Sequence, residues 1–138
     1  MLIRFLILCT FALSSLPFAQ AAPNDDYAMV FFFRSDCPYC HRFAPKLKSV
    51  TKRHQLGTYA FSLDGHSIPH YPVPIPATPE IGEMFFENPR SITVPATFLI
   101  NVHSRKFVRL SIGDVSEEVL DRSVTRILSD PKTLEMLQ

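Results

Sequence analysis

The sequence predicts an α/β fold: a central mixed sheet of four strands flanked by helices, in the order β-α-β-α-β-β-α. Three observations support this prediction. Short apolar runs typical of buried strands alternate with longer segments whose apolar residues recur at helical spacing. The chain has 138 residues, of which 46% are hydrophobic, enough for one small domain with its own core. Neither an internal repeat nor a linker divides it.

The first half of the chain predicts a strand, a helix and a second strand. Residues 28–33 are an uninterrupted apolar run and predict the first, buried strand. A helix is predicted at 37–53, and Pro45 inside it is expected to bend it. The second strand is predicted at 58–63. The predicted helix places its apolar residues on one face: Cys40, Phe43, Ala44, Leu47 and Val50.

The middle of the chain is dominated by proline. Residues 66–79 contain five prolines, the last of them Pro79, and predict an extended loop with polyproline character. A short helix is predicted at 79–87. Two apolar strands are predicted after it, at 96–102 and 106–112.

The last predicted element is a helix at 116–128. Asp114 and Glu117 have the spacing of a capping box before it. Asp130-Pro131 is expected to end it, because proline cannot continue a helix. Its apolar face consists of Val119, Leu120, Val124, Ile127 and Leu128.

Residues 1–21 have the pattern of a secretory signal peptide. A short positive segment at 1–4 precedes an apolar run at 5–18, which is too short to span a membrane. Ala19-Gln20-Ala21 fits a cleavage site. We therefore expect a single domain at 22–138, exported to the periplasm. The alternative is an N-terminal anchor that is retained.

Cleavage would change the cysteine count. Of three cysteines in the chain, Cys9 lies in the predicted signal, and the mature protein keeps Cys37 and Cys40. One pair is too small for a disulfide framework and supplies too few ligands for a structural zinc site. A lone pair in an oxidising compartment is typical of a redox couple. We expect no metal and no cofactor.

Charge excludes one class of partner. The chain has 14 Lys and Arg against 13 Asp and Glu, and this balance predicts no nucleic-acid partner. We expect a monomer.

The pair has the spacing Cys37-Pro38-Tyr39-Cys40 and lies between a predicted strand and a predicted helix. A thiol at a helix N-terminus is placed where backbone amides and the helix dipole stabilise its thiolate, the nucleophile of disulfide exchange. We therefore predict both cysteines to be catalytic. Cys37 is expected to attack a substrate disulfide, and Cys40, one turn further in, either resolves the mixed disulfide or waits while the substrate rearranges.

This order of elements, with C-x-x-C at the start of the first helix, resembles the thioredoxin fold. Pro45, five residues after Cys40, matches the proline of that family's active-site helix. Val94-Pro95, before a predicted strand, is similar to the family's cis-proline, and Gly113 fits the end of its sheet. The resemblance implies that Val94 and Pro95 contact substrate, together with the Pro38-Tyr39 dipeptide.

Several short sequence blocks point to one group of proteins within this fold. Residues 61–65 (FSLDG), the Pro-rich loop, 84–86 (MFF) and 94–102 (VPATFLINV) are similar to the TrbB group. That group comprises periplasmic thiol-disulfide isomerases encoded with F-type conjugative transfer systems. The resemblance implies substrates among disulfide-containing secreted proteins, including components of the pilus and transfer machinery. It also implies a periplasmic redox partner for the cysteine pair.

Two positions depart from ordinary thioredoxins. Phe31 stands six residues before Cys37, where thioredoxins have a buried acid that assists the second cysteine. Asp36 stands where they have Trp; it could cap the helix, although its charge opposes a nearby thiolate. The dipeptide Pro38-Tyr39 resembles that of glutaredoxins, whose potentials lie near roughly −200 to −230 mV. These features favour an isomerase or an oxidase over a fast reductant.

Two other functions remain open at this point. Cys37-Pro38-Tyr39-Cys40-His41 also fits the C-x-x-C-H motif of c-type haem attachment, with His41 as the axial ligand. The preceding strand disfavours this interpretation, because most small c-type cytochromes are helical. Alternatively, the Pro-rich loop, with Tyr71, His66 and His70, could be a docking surface to which the thiols are secondary. Asp64, His54 and His103 are expected to be ordinary surface or turn residues.

Overall fold

The computed structural model describes residues 24–138. The predicted signal peptide at 1–21 lies outside the described residues. None of the helices described is long and apolar enough to cross a membrane. The elements are β1 (Tyr27–Phe33), α1 (Pro38–His54), β2 (Gly57–Ser62), β3 (Ile75–Pro76), α2 (Pro79–Phe85), β4 (Ala96–Asn101), β5 (Phe107–Ile112), α3 (Glu117–Ser129) and α4 (Pro131–Met136).

The strands form one mixed sheet in the order β3-β2-β1-β4-β5. β1 is parallel to β2 and antiparallel to β4, and β5 is antiparallel to β4. The predicted α/β class, with helices on both sides of a mixed sheet, is confirmed.

The sheet described has five strands, so the predicted number of four was wrong. The additional strand, β3, lies inside the predicted Pro-rich loop and runs parallel to the end of β2. Pro76 is compatible with a strand here because β3 is at the sheet edge, where no further partner needs its missing N–H. The amide of Ala77 then donates to the Ser62 carbonyl at 2.9 Å.

β1 is the centre of the core because both of its faces are buried. Met29, Phe31 and Phe33 point to one face, where α1 and α3 pack. Val30 and Phe32 point to the other, where they meet the aromatic residues of α2 and its neighbours. The continuous apolar run of β1 therefore reflects burial on two sides rather than one.

The Pro-rich loop is anchored in the core. Ile68 and Tyr71 are buried and joined by a β-bridge. The Tyr71 ring lies 5.2 Å from the Phe31 ring, measured between centroids, and the Lys48 ammonium lies 5.0 Å from the centroid of Tyr71. In contrast, the Val73 side chain is 89% exposed. The loop therefore combines an exposed tip with a buried root.

The C-terminal helices differ from the predictions at their ends. Ser116 caps α3 by accepting a hydrogen bond from the Val119 amide at 3.3 Å, so the capping box predicted from Asp114 and Glu117 was wrong. Asp130 ends α3 as predicted and also caps α4, a helix that the sequence analysis did not predict. Near the N-terminus, α1 continues through Pro45 to His54.

Candidate active site

Four loops meet at one end of the sheet. β1 and β2 are parallel, with Phe33 opposite Ser62, so the segments after both strands begin at the same end. β4 is antiparallel to β1, with Ala96 opposite Phe32, so the segment before β4 lies there as well. The turn after β5 joins them, because Ile112 pairs with Ala96. This topology brings Cys37, Asp64, Val94-Pro95 and Gly113 together.

Cys37 is the N-cap residue of α1 and is partly exposed. The Cys40 amide donates to Cys37 Sγ at 3.2 Å. The same sulfur lies 3.9 Å from the Val94 carbonyl oxygen. An amide that donates to the sulfur stabilises negative charge on it, and the partial exposure leaves the sulfur accessible to another molecule.

Cys40 is fully buried and belongs to the apolar cluster that includes Phe31, Phe43 and Leu47. Burial, with a contribution from the hydrogen bond to Cys37, raises the pKa of the Cys40 thiol from 9.0 to about 12. The two cysteines are both free thiols in the structure. They therefore differ strongly in exposure although they are one helical turn apart.

The Val94–Pro95 bond is cis, as the resemblance predicts. Val94 is partly buried and Pro95 is buried. The Gly113 amide donates to the Pro95 carbonyl at 2.8 Å. Gly113 has a φ of 87°, a conformation that glycine adopts at no steric cost. This contact holds the segment before β4 against the turn after β5.

The dipeptide between the cysteines is on the surface. Pro38 is the first residue of α1 and is exposed, and the Tyr39 ring is 57% exposed. The Arg42 guanidinium lies over the Tyr39 ring, 4.6 Å from its centroid. Arg42 Nε also donates to Asp114 at 3.1 Å, and Lys46 Nζ donates to the other oxygen of Asp114 at 2.7 Å. Asp114 thus links α1 to the turn after β5.

The two charged residues before Cys37 pair with each other. Arg34 Nε donates to Asp36 Oδ1 at 3.1 Å, and both side chains are exposed. Asp36 does not cap α1, because Cys37 occupies the N-cap position. The His41 Nε2 atom lies 2.7 Å from the Ser35 carbonyl oxygen, so the imidazole is held against the loop that precedes Cys37.

The sequence analysis did not predict the role of Asp64 in this region. The prediction was an ordinary surface or turn residue. Asp64 does follow β2 in a bend, but it is half-buried and accepts hydrogen bonds from Ser35, Ser62 and His66. Burial opposes its ionisation, but these hydrogen bonds outweigh it and hold the pKa of the carboxyl well below its usual range. Its position directly after the predicted second strand was the available signal, because adjacent parallel strands end at the same edge.

This architecture is that of the thioredoxin fold. The chain is similar in structure to chloroplastic thioredoxin z, with a TM-score of 0.54 and 17% identity over 78% of this chain and 82% of that one. It is also similar to StoA from Bacillus subtilis, with a TM-score of 0.53 and 17% identity over 72% of this chain and 83% of that one. At these identities the likeness establishes the fold.

Sequence similarity identifies the family. The family model described as TraF, F plasmid transfer operon protein, matches residues 20–125, and the chain belongs to this family. It is 33% identical over 88 residues to protein TrbB of Escherichia coli (strain K12). The match covers 64% of this chain and 48% of TrbB, so the chain spans about half the length of that relative. The predicted resemblance to TrbB is confirmed.

Proposed function

We propose that this protein is a periplasmic thiol-disulfide oxidoreductase that acts mainly as a disulfide isomerase. Its substrates would be disulfide-containing secreted proteins, including pilus and transfer components of a conjugation system. The observation that carries the proposal is the contrast between the two thiols at the start of α1. Cys37 is accessible at the N-cap, whereas Cys40 is enclosed in the core. The TraF family match supports the conjugative setting, and the pattern of residues 1–21 supports export.

The first step is attack by the Cys37 thiolate on one sulfur of a substrate disulfide. The substrate S–S bond breaks, a bond forms between Cys37 Sγ and that sulfur, and the other substrate sulfur leaves as a thiolate that takes up a proton. The N–H of Cys40 is positioned to stabilise charge on Cys37 before attack. The product is a mixed disulfide, with no net change in the number of disulfides.

Two routes lead from the mixed disulfide. In isomerisation, another substrate thiolate attacks a substrate disulfide, and a substrate thiolate finally displaces Cys37, which returns as a thiolate without net electron transfer. In the second route the Cys40 thiolate attacks Cys37 Sγ. This forms the Cys37–Cys40 disulfide and releases a reduced substrate, so that a periplasmic redox partner must return two electrons to the pair.

The burial of Cys40 favours the first route. Its thiol has a pKa raised to about 12 by burial, and the thiolate is the attacking form. Phe31, at the position where a buried acid would assist Cys40, is fully buried and apolar. The mixed disulfide therefore persists, which gives the substrate time to rearrange.

The substrate would lie along the surface beside Cys37. We assign substrate contacts to Val94 and Pro95, since the Val94 carbonyl lies 3.9 Å from the attacking sulfur. The exposed ring of Tyr39 and the exposed Pro38, which follow Cys37 in the chain, extend this surface. An extended peptide that carries the target disulfide could pair with the backbone at Val94.

The test is reactivation of a model protein whose disulfides have been scrambled. The wild type is expected to restore activity, and Cys37→Ala is expected to abolish the effect. Cys40→Ala is expected to retain part of it while accumulating mixed disulfides, because attack requires only Cys37. If neither this assay nor oxidation of a reduced substrate responds to Cys37→Ala, the enzyme proposal fails, and the docking role of the Pro-rich loop takes its place.

An oxidase is the second candidate, favoured by the glutaredoxin-like dipeptide Pro38-Tyr39. Rapid oxidation of reduced substrates, with no effect on scrambled ones, would select it over the isomerase. The haem interpretation of C-x-x-C-H is tested by intact mass and visible absorbance of protein from a periplasm competent for haem attachment. We expect neither a Soret band nor the mass of a haem, because His41 is held against the Ser35 carbonyl.

A further inference from the structure

One carboxylate joins the loop that precedes Cys37 to the start of the Pro-rich loop, at His66. Asp64 Oδ2 accepts hydrogen bonds from the Ser35 amide at 3.0 Å and from the Ser35 hydroxyl at 2.7 Å. Asp64 Oδ1 accepts from the Ser62 hydroxyl at 2.9 Å and from the His66 amide at 3.3 Å. Each oxygen thus serves a different segment of the chain.

The contact is specific for a carboxylate. An ionised carboxylate is an acceptor at both oxygens, and donors face both of them. An asparagine would turn an N–H₂ group toward a backbone amide on one of the two sides, either that of Ser35 or that of His66. The isosteric substitution therefore removes hydrogen bonds without leaving a cavity.

The Ser35 segment is short and leads directly to the proposed nucleophile. Residues 34–36 connect β1 to α1, and the Cys37 amide donates to the Arg34 carbonyl at 3.3 Å. His41 Nε2 contacts the Ser35 carbonyl at 2.7 Å, so Ser35 is held from both its amide and its carbonyl side. The backbone next to Asp64 is fixed to the sheet. The Leu63 amide donates to the Phe33 carbonyl at 2.9 Å and so continues the pairing of β1 with β2.

We propose that Asp64 is a positioning residue for Cys37, acting through Ser35. By fixing residues 34–36 it keeps Cys37 at the N-cap of α1, where the sulfur meets the Cys40 amide and lies beside the Val94 carbonyl. The effect of Asp64 on catalysis rests on the proposed function. Its effect on the geometry of the two thiols does not depend on that function.

The experiment measures the step that depends most on that geometry. The reduced protein is mixed with oxidised glutathione, and the rate at which Cys40 displaces glutathione from Cys37 is followed by acid quench and mass spectrometry. Asp64→Asn is expected to slow this intramolecular step roughly tenfold, since effective molarity falls steeply with small misplacements. Ser35→Ala, which leaves the carboxylate and its charge in place, is expected to slow it by a smaller factor. The double variant is expected to be no slower than Asp64→Asn, because both substitutions break one network.

Asp130→Asn is the matched control. Asp130 also accepts two backbone amides and a hydroxyl, from Lys132 and Thr133, but it caps α4. The Asp130→Asn substitution should lower the melting temperature without changing the rate at which Cys40 displaces glutathione from Cys37. A merely structural Asp64 would behave in the same way, and that result would overturn the proposal.

A purely electrostatic role has a different signature. In that case Asp64→Asn changes the rate and Ser35→Ala leaves it at the wild-type value, which also overturns the proposal. If Asp64→Asn does not fold, Ser35→Ala decides alone. A wild type with a normal intramolecular step but no isomerase activity rejects the proposed function and leaves the positioning role standing. A wild type that forms no Cys37–Cys40 disulfide rejects the positioning role, while the proposed isomerase activity is still decided by the assay with the scrambled substrate, because attack on that substrate requires only Cys37.

Discussion

The two thiols should differ greatly in their reaction with a small alkylating agent. Reduced protein is treated with iodoacetamide at pH 8, quenched over time and mapped by mass spectrometry. Only the thiolate reacts, so the outcome depends on the thiolate fraction of each sulfur and on its exposure. Cys37 is partly exposed, whereas Cys40 is fully buried.

The magnitude follows from the pKa of Cys40. A pKa of about 12, against the ordinary 9.0, leaves about one Cys40 molecule in 10⁴ as thiolate at pH 8, compared with about one in ten for an ordinary thiol. We therefore expect Cys40 to be labelled on the order of 10³-fold more slowly than an ordinary thiol, before its burial slows it further. In denaturant the difference should vanish.

Cys37→Ala supplies the control, because it leaves Cys40 as the thiol to be labelled. Burial, the largest cause of the raised pKa of Cys40, remains in this variant. Labelling of Cys40 in this variant should stay slow in the folded state and reach the rate of an ordinary thiol in denaturant. Equal labelling of the two thiols in the native protein, or faster labelling of Cys40, would refute the assignment of Cys37 as nucleophile.

Two further predictions concern stability, measured by urea unfolding. Tyr71→Ala should lower the free energy of unfolding by about 3–5 kcal/mol, because a buried ring is lost. Tyr71→Phe should change it by less than about 1 kcal/mol, since the buried hydroxyl makes no hydrogen bond of normal geometry and only a contact with Thr58 would be lost. A small loss for Tyr71→Ala would contradict the anchoring of the Pro-rich loop. Burial opposes ionisation of Asp114, but the hydrogen bonds from Lys46 and Arg42 outweigh it and lower the pKa of the carboxyl below 3.8. A lowered folded-state pKa stabilises the protein at pH values above the unfolded-state pKa, and this contribution is lost as the pH falls through the folded-state pKa. Asp114→Asn should therefore cost about 1 kcal/mol at pH 7 and progressively less as the pH falls below 3.8. A cost that does not depend on pH would contradict this role.

The sequence was sufficient for the elements that carry strong local patterns. The apolar run of β1 and the helical spacing from Cys40 to Val50 agree with the structure within a few residues. The thioredoxin fold could be predicted because Cys37, Pro45 and Val94-Pro95 occupy characteristic positions between these elements.

The features that were missed depend on contacts distant in sequence. β3 was missed because proline argues against a strand, and only its place at the sheet edge makes Pro76 acceptable. Asp114 has capping-box spacing, but Lys46, 68 residues away, engages its carboxylate instead. Ser35 and Asp64 are 29 residues apart, and their pairing becomes visible only when β1 and β2 lie side by side.

Attack by Cys37 on substrate disulfides requires the Cys37–Cys40 pair to be reduced in the cell. The most direct test is the redox state of Cys37 and Cys40 in cells that carry the conjugation system. Cells are quenched with acid, free thiols are modified with a heavy maleimide, and the protein is separated by size beside reduced and oxidised standards and the Cys37→Ala variant. If the protein is an isomerase, most of it should have both thiols free. A pair found mainly as the Cys37–Cys40 disulfide would contradict it and identify the protein as an oxidase.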